Sequence, residues 1–562
     1  MTRLFAASLG VAALFAGVAA VRGVPTTATA DPPAAAPEPP PFAAWPKDAK
    51  PDAVLVVTGQ SYGYLQPCGC SRPQLGGLER RANFVAGLKA KGWPVAGVDL
   101  GDILPAAGVV PEQVVLKYAT TLPALRDMGY VAVGVGTAEF SAGLFQLLDQ
   151  YAAKKDQPPY LLAGNVGGLV GGKVTPRVAA FPGPGARPLV GLTEVVEVGT
   201  VPVGIAGVVG ASVAKTVGAR TLVGVTSDQD ALTAAVKELI DSAKKPKLNV
   251  LLYQGTFEEA KAVAKGWPQF RVVVCLSDDS APPETPDVVT AAGGEKVSIV
   301  RVGHKGRYVG VIGAFKRTGG DYDLRYELVP LGETYVTPGT EDAARAANPA
   351  LSFLDDYAAR VKARNFLGKF PQRPHPAQAR NPKLNLSFVG SEACAKCHAD
   401  QFAKWKETPH AHAFATLENE AKRPAQRQFD GECVICHTVG LGYKTGFRDD
   451  LTTPALKNVG CESCHGPGAG HAADPKDATL LALQSPWRAD KADRLPDLTT
   501  MGVLAKLSEA AREKYPLKAG ERRTAGAVSA ACVSCHDTEN DPNFDLFTYW
   551  PKVAHPTKKA GR

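Results

Sequence analysis

The sequence predicts a layered α/β sandwich followed by a mostly α-helical domain that cannot build its core from side chains alone. Three observations carry this. From about residue 51 to 335, short apolar β-rich runs alternate with helical patterns, the texture of buried strands interleaved with helices. A proline-marked stretch over 336–386 then interrupts the pattern. From residue 387 onward Cys and His become frequent and long apolar periodicity disappears, so a bound group has to supply the apolar bulk.

The elements follow in chain order. Met1-Thr2-Arg3 is a short positive start, Leu4 to Val21 is apolar, and Ala28-Thr29-Ala30 is a small-x-small cleavage site. Together they read as a secretory signal over 1–30, with an uncleaved membrane anchor as the rival reading. Both put the mature chain outside the cytoplasm, and later apolar runs are too short and glycine-rich to span a bilayer. Residues 31–50 are rich in Pro and Ala and read as an exposed, semi-rigid tether. Strands are expected at 53–58, 95–99, 131–135, 203–209, 249–253 and 271–276, with helices at 112–128 and 228–244 between them. The Gly76-Gly77 pair is expected to shape a turn and helix start. Residues 297–312 and 322–329 read as hairpin-like strands that close the domain. A helical stretch at 341–364, broken at Pro349, leads into an extended linker marked by Pro371, Pro374, Pro376 and Pro382. The chain carries 63 basic and 55 acidic side chains, a formal charge of +8, with no Lys/Arg run of the kind that marks nucleic-acid binding.

Eight of the eleven cysteines fall into four copies of one pattern. These are Cys394-Ala-Lys-Cys397-His398, Cys433-Val-Ile-Cys436-His437, Cys461-Glu-Ser-Cys464-His465 and Cys532-Val-Ser-Cys535-His536. A single C-x-x-C also suits half a zinc site or a redox disulfide. Neither requires His directly after the second Cys, which composition alone would place there about once in fifty. C-x-x-C-H is the attachment signature of c-type haem: two cysteines three apart form thioethers with the two vinyl groups, and the adjacent His reaches the iron. Four haems are therefore expected, with His398, His437, His465 and His536 as proximal ligands. Export and covalent haem attachment agree, since this chemistry belongs to the outer side of the bacterial membrane. Methionine can be the sixth ligand of at most one of these haems, because only Met501 lies in this region. The remaining histidines here are His410, His412, His471 and His555, with His375 upstream. That supply suits bis-histidine ligation at most sites, hence electron transfer to and from redox partner proteins. An unpaired haem would be five-coordinate and open to a small molecule. His410 and His412 are two apart and point to opposite sides of a helix.

The segments "FVGSEACAKCHADQFAKWKETPHAHAF", "CESCHGPGAGH" and "CVSCHDTENDPNFDLFTYWPKVAH" resemble the multihaem family that includes tetrahaem cytochrome c-554, over about 387–556. The resemblance implies His410, His471 and His555 as distal ligands. It also implies that one haem can lack a protein sixth ligand, with the Cys433–His437 haem as the candidate.

The first domain resembles the metallophosphoesterase domain of the 5'-nucleotidase family. The matching segments, in that family's order over about 52–315, are "VLVVTGQSYGYLQPCGCSRPQLGGLERRANFV", "VAGVDLGDIL", "VAVGVGTAEF", "YLLAGNV" and "VSIVRVGHKGRYVGVI". Members need two metal ions that activate water and neutralise phosphoryl oxygens. Here Gly59-Gln60-Ser61-Tyr62 replaces the first ligand pair, Gly136-Thr137-Ala138-Glu139 replaces G-N-H-E, Gln254 replaces a later His, and only Gly101-Asp102 survives. One retained carboxylate cannot hold a two-metal cluster, so ordinary phosphoesterase activity is not expected. His304, the only histidine of this domain, falls in the "VGHKG" turn, where the family has no ligand. The three remaining cysteines, Cys68, Cys70 and Cys275, are placed by strand-end logic near one crevice. With Asp102 they are candidates for a thiophilic metal or a redox site, against the plainer readings of a disulfide bridge or a buried apolar Cys275. Three functions are thereby ranked: an exported electron carrier, a multihaem oxidoreductase acting on a small molecule at an open haem or at these cysteines, and a surviving hydrolase.

Overall fold

Strand β1 (Ala53–Thr58) is buried at every position, because its AVLVVT run is apolar on both faces and both faces are covered. The computed structural model describes residues 40–555 apart from 48, 69–72, 106–108, 145–146, 149–156, 171–172, 177–187, 218–222, 422–424 and 491. The expected signal segment 1–30 and most of the tether lie outside the described residues. Alongside β1 run β2 (Val95–Asp99), β3 (Tyr130–Gly134) and β4 (Tyr160–Leu162), each parallel to the last. Three further strands, β5 (Val166–Val170), β6 (Lys173–Pro176) and β9 (Val223–Val225), form a small sheet of their own.

A second six-stranded sheet is built from β7 (Thr193–Val198), β8 (Val201–Val209), β10 (Leu248–Gln254), β11 (Val272–Cys275), β12 (Asp287–Thr290) and β13 (Lys296–Val300), in the order β12-β13-β11-β10-β8-β7. The first sheet is completed by β14 (Tyr308–Lys316), antiparallel to β1, and β15 (Tyr322–Pro330), which forms a hairpin with β14. The expected hairpin at 297–329 is thus half right. β13 pairs with β11 and β12 in the other sheet, and only β14 and β15 form the hairpin.

The two sheets pack face to face. Leu55, Val57, Val98 and Ile312 of one meet Val203, Ile205, Val250 and Val274 of the other in a single apolar cluster. Helices Asp228–Asp241 and Phe257–Gly266 cover the outer face of the second sheet through Leu232, Ala235, Leu239, Ala260 and Val263. Helix Leu78–Ala90 starts where expected. Gly76 and Gly77 have φ of 91° and 95°, and a Cβ on Gly77 would stand 2.9 Å from Pro67 Cδ. The tether does not stay exposed to its end: Trp45 is buried, stacked on Trp93 at 5.4 Å and edge-on to Phe315 at 5.6 Å.

Helices Glu341–Ala347 and Pro349–Ala363 meet at the expected break, where the Asn348 side chain accepts from Ala350 N at 3.0 Å. The second packs on helices Leu78–Ala90 and Pro111–Met128. The linker beyond is not wholly extended, since Pro376–Arg380 forms a short helix with Pro at its first position and His375 Nδ1 accepting from Ala377 N. Short helices then dominate to residue 553, joined by small apolar clusters such as Leu367, Phe414, Val434 and Phe447. From Trp45 onward the chain forms one compact unit, with no separation between the α/β part and the Cys/His-rich part.

Candidate metal centres

The first three Cys-x-x-Cys-His motifs begin on short helices. Ser391–Ala395 carries Cys394, Gly431–His437 carries the whole second motif, and Cys461–His465 carries the whole third. The fourth begins at the end of the longer helix Ala519–Cys532. A helical turn puts cysteines three apart on one side, so both sulfurs of a motif face the same space.

Three imidazole pairs stand across such spaces. His398 faces His471 with ring centres 6.2 Å apart, His410 faces His536 at 6.1 Å, and His465 faces His555 at 6.0 Å. Two imidazoles bound to opposite sides of one first-row metal ion, at a metal–nitrogen length of about 2 Å, have ring centres about 6 Å apart. The three spacings therefore fit an iron held between each pair. The other ring nitrogens fit as well. His465 Nδ1 donates to the Gln484 carbonyl at 2.8 Å, His536 Nδ1 to Asp541 Oδ2 at 2.7 Å, and His437 Nδ1 to the Ala413 carbonyl, which leaves Nε2 of each ring for the metal. His471 Nδ1 is buried with no hydrogen-bond partner among the described residues, an orphan that a metal would satisfy. Burial holds His410, His437 and His465 below the ordinary imidazole value, favouring the neutral, ligating form.

His437 has no second imidazole facing it among the described residues. His412, the other histidine of its pair, is exposed, with Nε2 3.1 Å from the Lys406 carbonyl, so the structure does not support it as a distal ligand. Met501 is wholly buried in the helix Leu498–Leu504.

The motifs adjoin. The Cys394 and Cys461 thiols are in hydrogen-bonding contact, as are those of Cys436 and Cys535, and Cys464 lies close to Cys532 and Cys535. Glu462, inside the third motif, ties this region together. Its buried carboxylate accepts from Val389 N, Gly390 N at 2.7 Å and Gly468 N at 2.7 Å.

The strand ends of the α/β part are occupied by their own hydrogen bonds. Asp102, with φ of 53°, accepts from Ala138 N at 2.8 Å, and Glu139 accepts from Gly136 N, Asp102 N and Ile103 N. Burial pushes the Asp102 carboxyl up to about 6, with the charge of Asp99 adding to the rise, and that of Glu139 to about 8, with the charge of Asp102 adding there. Gln60 binds Ser277 N and Tyr62, Gln254 binds the Leu100 carbonyl, and Asn165 takes both Val209 N and O.

Of the readings of the cysteine set, Cys275 follows that of a buried apolar residue and not that of a metal or redox site. Cys275 is 1% exposed on the helix-facing side of β11, among Ala260, Val263 and Phe270, and burial pushes its thiol up to about 12. It is a small apolar core residue and not a thiolate. Cys68 lies elsewhere, 3.7 Å from the Asn540 carbonyl and 3.1 Å from Gln74 Nε2. Cys70 lies outside the described residues.

This end of the α/β part holds the residues that flank two of the Cys-x-x-Cys-His motifs. Arg427 donates to the Pro67 and Cys68 carbonyls at 3.1 and 2.7 Å. Asp430 receives Gln113 at 2.8 Å and Tyr357 at 2.9 Å, and Lys117 pairs with Glu432. His304 and Lys305 both bind the Glu539 carboxylate, and Gln74 binds the Asn540 carbonyl at 2.8 Å. Residues 427–432 directly precede Cys433, and residues 537–540 directly follow His536. Of these seam residues the sequence singled out only His304 and Cys68, for other reasons, because the rest are polar loop or helix residues whose partners lie 73 to 466 positions away.

Residues 393–466 match the family model described as cytochrome c554 and c-prime. Cytochrome c-554 of Nitrosomonas europaea is 38% identical over 97 residues, which cover 16% of this chain and 41% of that protein. The chain thus spans less than half the length of that relative. Among solved structures, a 5'-nucleotidase precursor of Thermus thermophilus is similar at 21% identity over 55% of this chain and 59% of that one, with a TM-score of 0.43. The sulfate thiohydrolase SoxB of Thermus thermophilus is similar at 14% identity over 59% of this chain and 63% of that one, with a TM-score of 0.42. The C-terminal region is similar to cytochrome c-554, and that likeness implies covalently bound haem.

Proposed function

We propose that this chain is an exported electron-transfer protein with four c-type haems, one on each Cys-x-x-Cys-His motif. Three would be bis-histidine, ligated by His398 with His471, His536 with His410, and His465 with His555. The haem on Cys433, Cys436 and His437 would be open on its sixth side. The spacing of the three imidazole pairs carries this reading.

When bound, each haem supplies a one-electron iron couple. The residues do the rest. Paired imidazoles close both sides of an iron, which favours electron exchange over substrate binding. Outer hydrogen bonds on Nδ1 fix each ring. The hydrogen-bonding contacts between the first and third motifs and between the second and fourth, with the third close to the fourth, support haems near enough to one another to pass electrons among themselves and on to a redox partner protein. The strand-end network supports the reading that the α/β part has exchanged phosphoester hydrolysis for docking, since Asp102, Glu139, Gln254 and Asn165 are committed to backbone groups.

A pyridine haemochrome count with an EPR spectrum of the holoprotein tests this. Four haems per chain are expected, three low-spin and one high-spin, the last binding carbon monoxide after reduction. Zinc in place of haem, or two or more high-spin signals, would overturn it. A second reading, reduction or oxidation of a small molecule at the His437 haem, is favoured by the lack of an imidazole facing His437 among the described residues. Turnover of a small ligand abolished by His437→Ala alone would establish it. A phosphatase assay with added manganese is expected to show no activity.

A further inference from the structure

The partner of His536 differs in kind from those of His437 and His465. Those two rings donate to the neutral backbone carbonyls of Ala413 and Gln484, whereas His536 donates to a carboxylate, Asp541 Oδ2 at 2.7 Å. Asp541 is 4% exposed. It is held on all sides: its N–H donates to the Asp537 carbonyl at 2.8 Å, its carbonyl accepts from Phe544 N at 3.0 Å, and its Oδ1 receives the Tyr549 hydroxyl at 3.3 Å. Phe544 stacks on the His536 ring at 5.2 Å and Tyr549 meets it edge-on at 5.8 Å; the Asp541 carboxylate is shielded from water, while the His536 side chain stays 31% exposed.

From this geometry we infer that Asp541 is a positioning residue that sets the reduction potential of the haem on Cys532 and Cys535, holding it below the value a carbonyl partner would give. The inference rests on His536 being an iron ligand. Two effects act in the same direction. A carboxylate accepting the Nδ1 proton draws it away from the ring and makes the ring a stronger donor to the metal. Its buried negative charge would also stand one imidazole ring from an iron held by His536, with screening weakened, and a ferric ion carries one more positive charge than a ferrous one. Both stabilise the oxidised state. Tyr549 works against this by donating to the same carboxylate and drawing charge from it.

Spectropotentiometric titration of the full-length holoprotein tests the inference. Asp541→Asn keeps the shape and an acceptor for the His536 N–H but removes the charge. The reduction equilibrium of one haem is expected to shift at least tenfold toward the ferrous form, a rise of 59 mV for one electron, with the other components unmoved. Asp541→Glu keeps the charge and should hold that component close to its native midpoint, and Tyr549→Phe should move the same component the opposite way from Asp541→Asn. All midpoints unchanged in an Asp541→Asn protein with its full haem complement would overturn the proposal. If that variant fails to retain haem, an unmoved component in Tyr549→Phe would overturn it instead. A wild-type protein without haem would defeat the ligation reading and this inference with it, whereas a full haem count with unmoved midpoints would defeat this inference alone, so the haem count tells the two failures apart.

Discussion

Glu539 sits between His304 and Lys305, and its charge is what those two side chains hold. The hydrogen bond from His304 draws its carboxyl down to about 2, with Lys305 adding to the effect and burial opposing it. An acid whose folded value lies below its unfolded one binds fewer protons when folded, so it stabilises the fold at higher pH. That contribution is complete above about 4.5 and is lost as pH falls toward 2. Thermal melts from pH 6 to 2.5 should therefore steepen in acid for the native chain, and Glu539→Gln should flatten that limb while costing roughly 1–3 kcal/mol at neutral pH. A variant with the same acid limb as the native chain would assign the loss to other carboxylates. A second expectation concerns the thiols. Cys433→Ser combined with Cys436→Ser removes both thioethers of one site, so the haemochrome count should fall by one, and the high-spin EPR signal should vanish while the low-spin signals stay.

At the level of elements, what could be read from the sequence was what neighbouring residues encode. β1 and β2 run over the residues expected, because burial on both faces leaves an unbroken apolar run between polar turns. The haem motifs are as local, five residues each. The pairing of β13 was misjudged because sheet membership depends on partners distant in the chain, here β11 and β12. Cys275 was misplaced for a different reason. It ends its strand, but strand alternation turns its side chain to the helix layer while Val274 beside it faces the other sheet. Asp430, Glu539 and Asp541 carry no periodicity at all. The strand-end carboxyls were legible as a retained Asp102 and a substituted Glu139, but not as a pair buried together. That pairing has a pH consequence. Both folded values are raised, Asp102 from 3.8 to about 6 and Glu139 from 4.5 to about 8, so the folded state binds the extra protons and stability falls as pH rises from about 4, the fall ending at about 8. Asp102→Asn keeps an acceptor for Ala138 N and removes one charge. Its melting temperature should change less between pH 5 and 9 than that of the native chain, and an equal decline in both would show that the pair does not share the burden.

Across the whole molecule, the seam between the α/β part and the haem-attachment region decides how the chain unfolds. From Trp45 onward it is one compact unit. The contacts across the seam are charged and bidentate: Asp430 holds Gln113 and Tyr357 while capping Glu432 N at 3.1 Å, and Glu539 holds His304 and Lys305. Each ties the α/β part to the residues beside an attachment motif. Loosening one half should then loosen the other, and the α/β part should report haem loss and the haem Soret band should report α/β unfolding. In the native holoprotein the two signals are expected to change together in one transition. Asp430→Ala alone leaves Gln113 and Tyr357 without their acceptor, and Glu539→Gln leaves Lys305 without its counter-charge. The two sites are separated along the seam and share no partner, so their costs should nearly add. At roughly 1–3 kcal/mol each, the sum is large against a typical domain stability of about 5–15 kcal/mol. The double variant should therefore show two transitions, with far-UV circular dichroism falling several degrees before the Soret band. Coincident transitions in that variant would mean that the halves are joined by apolar packing and not by the polar seam.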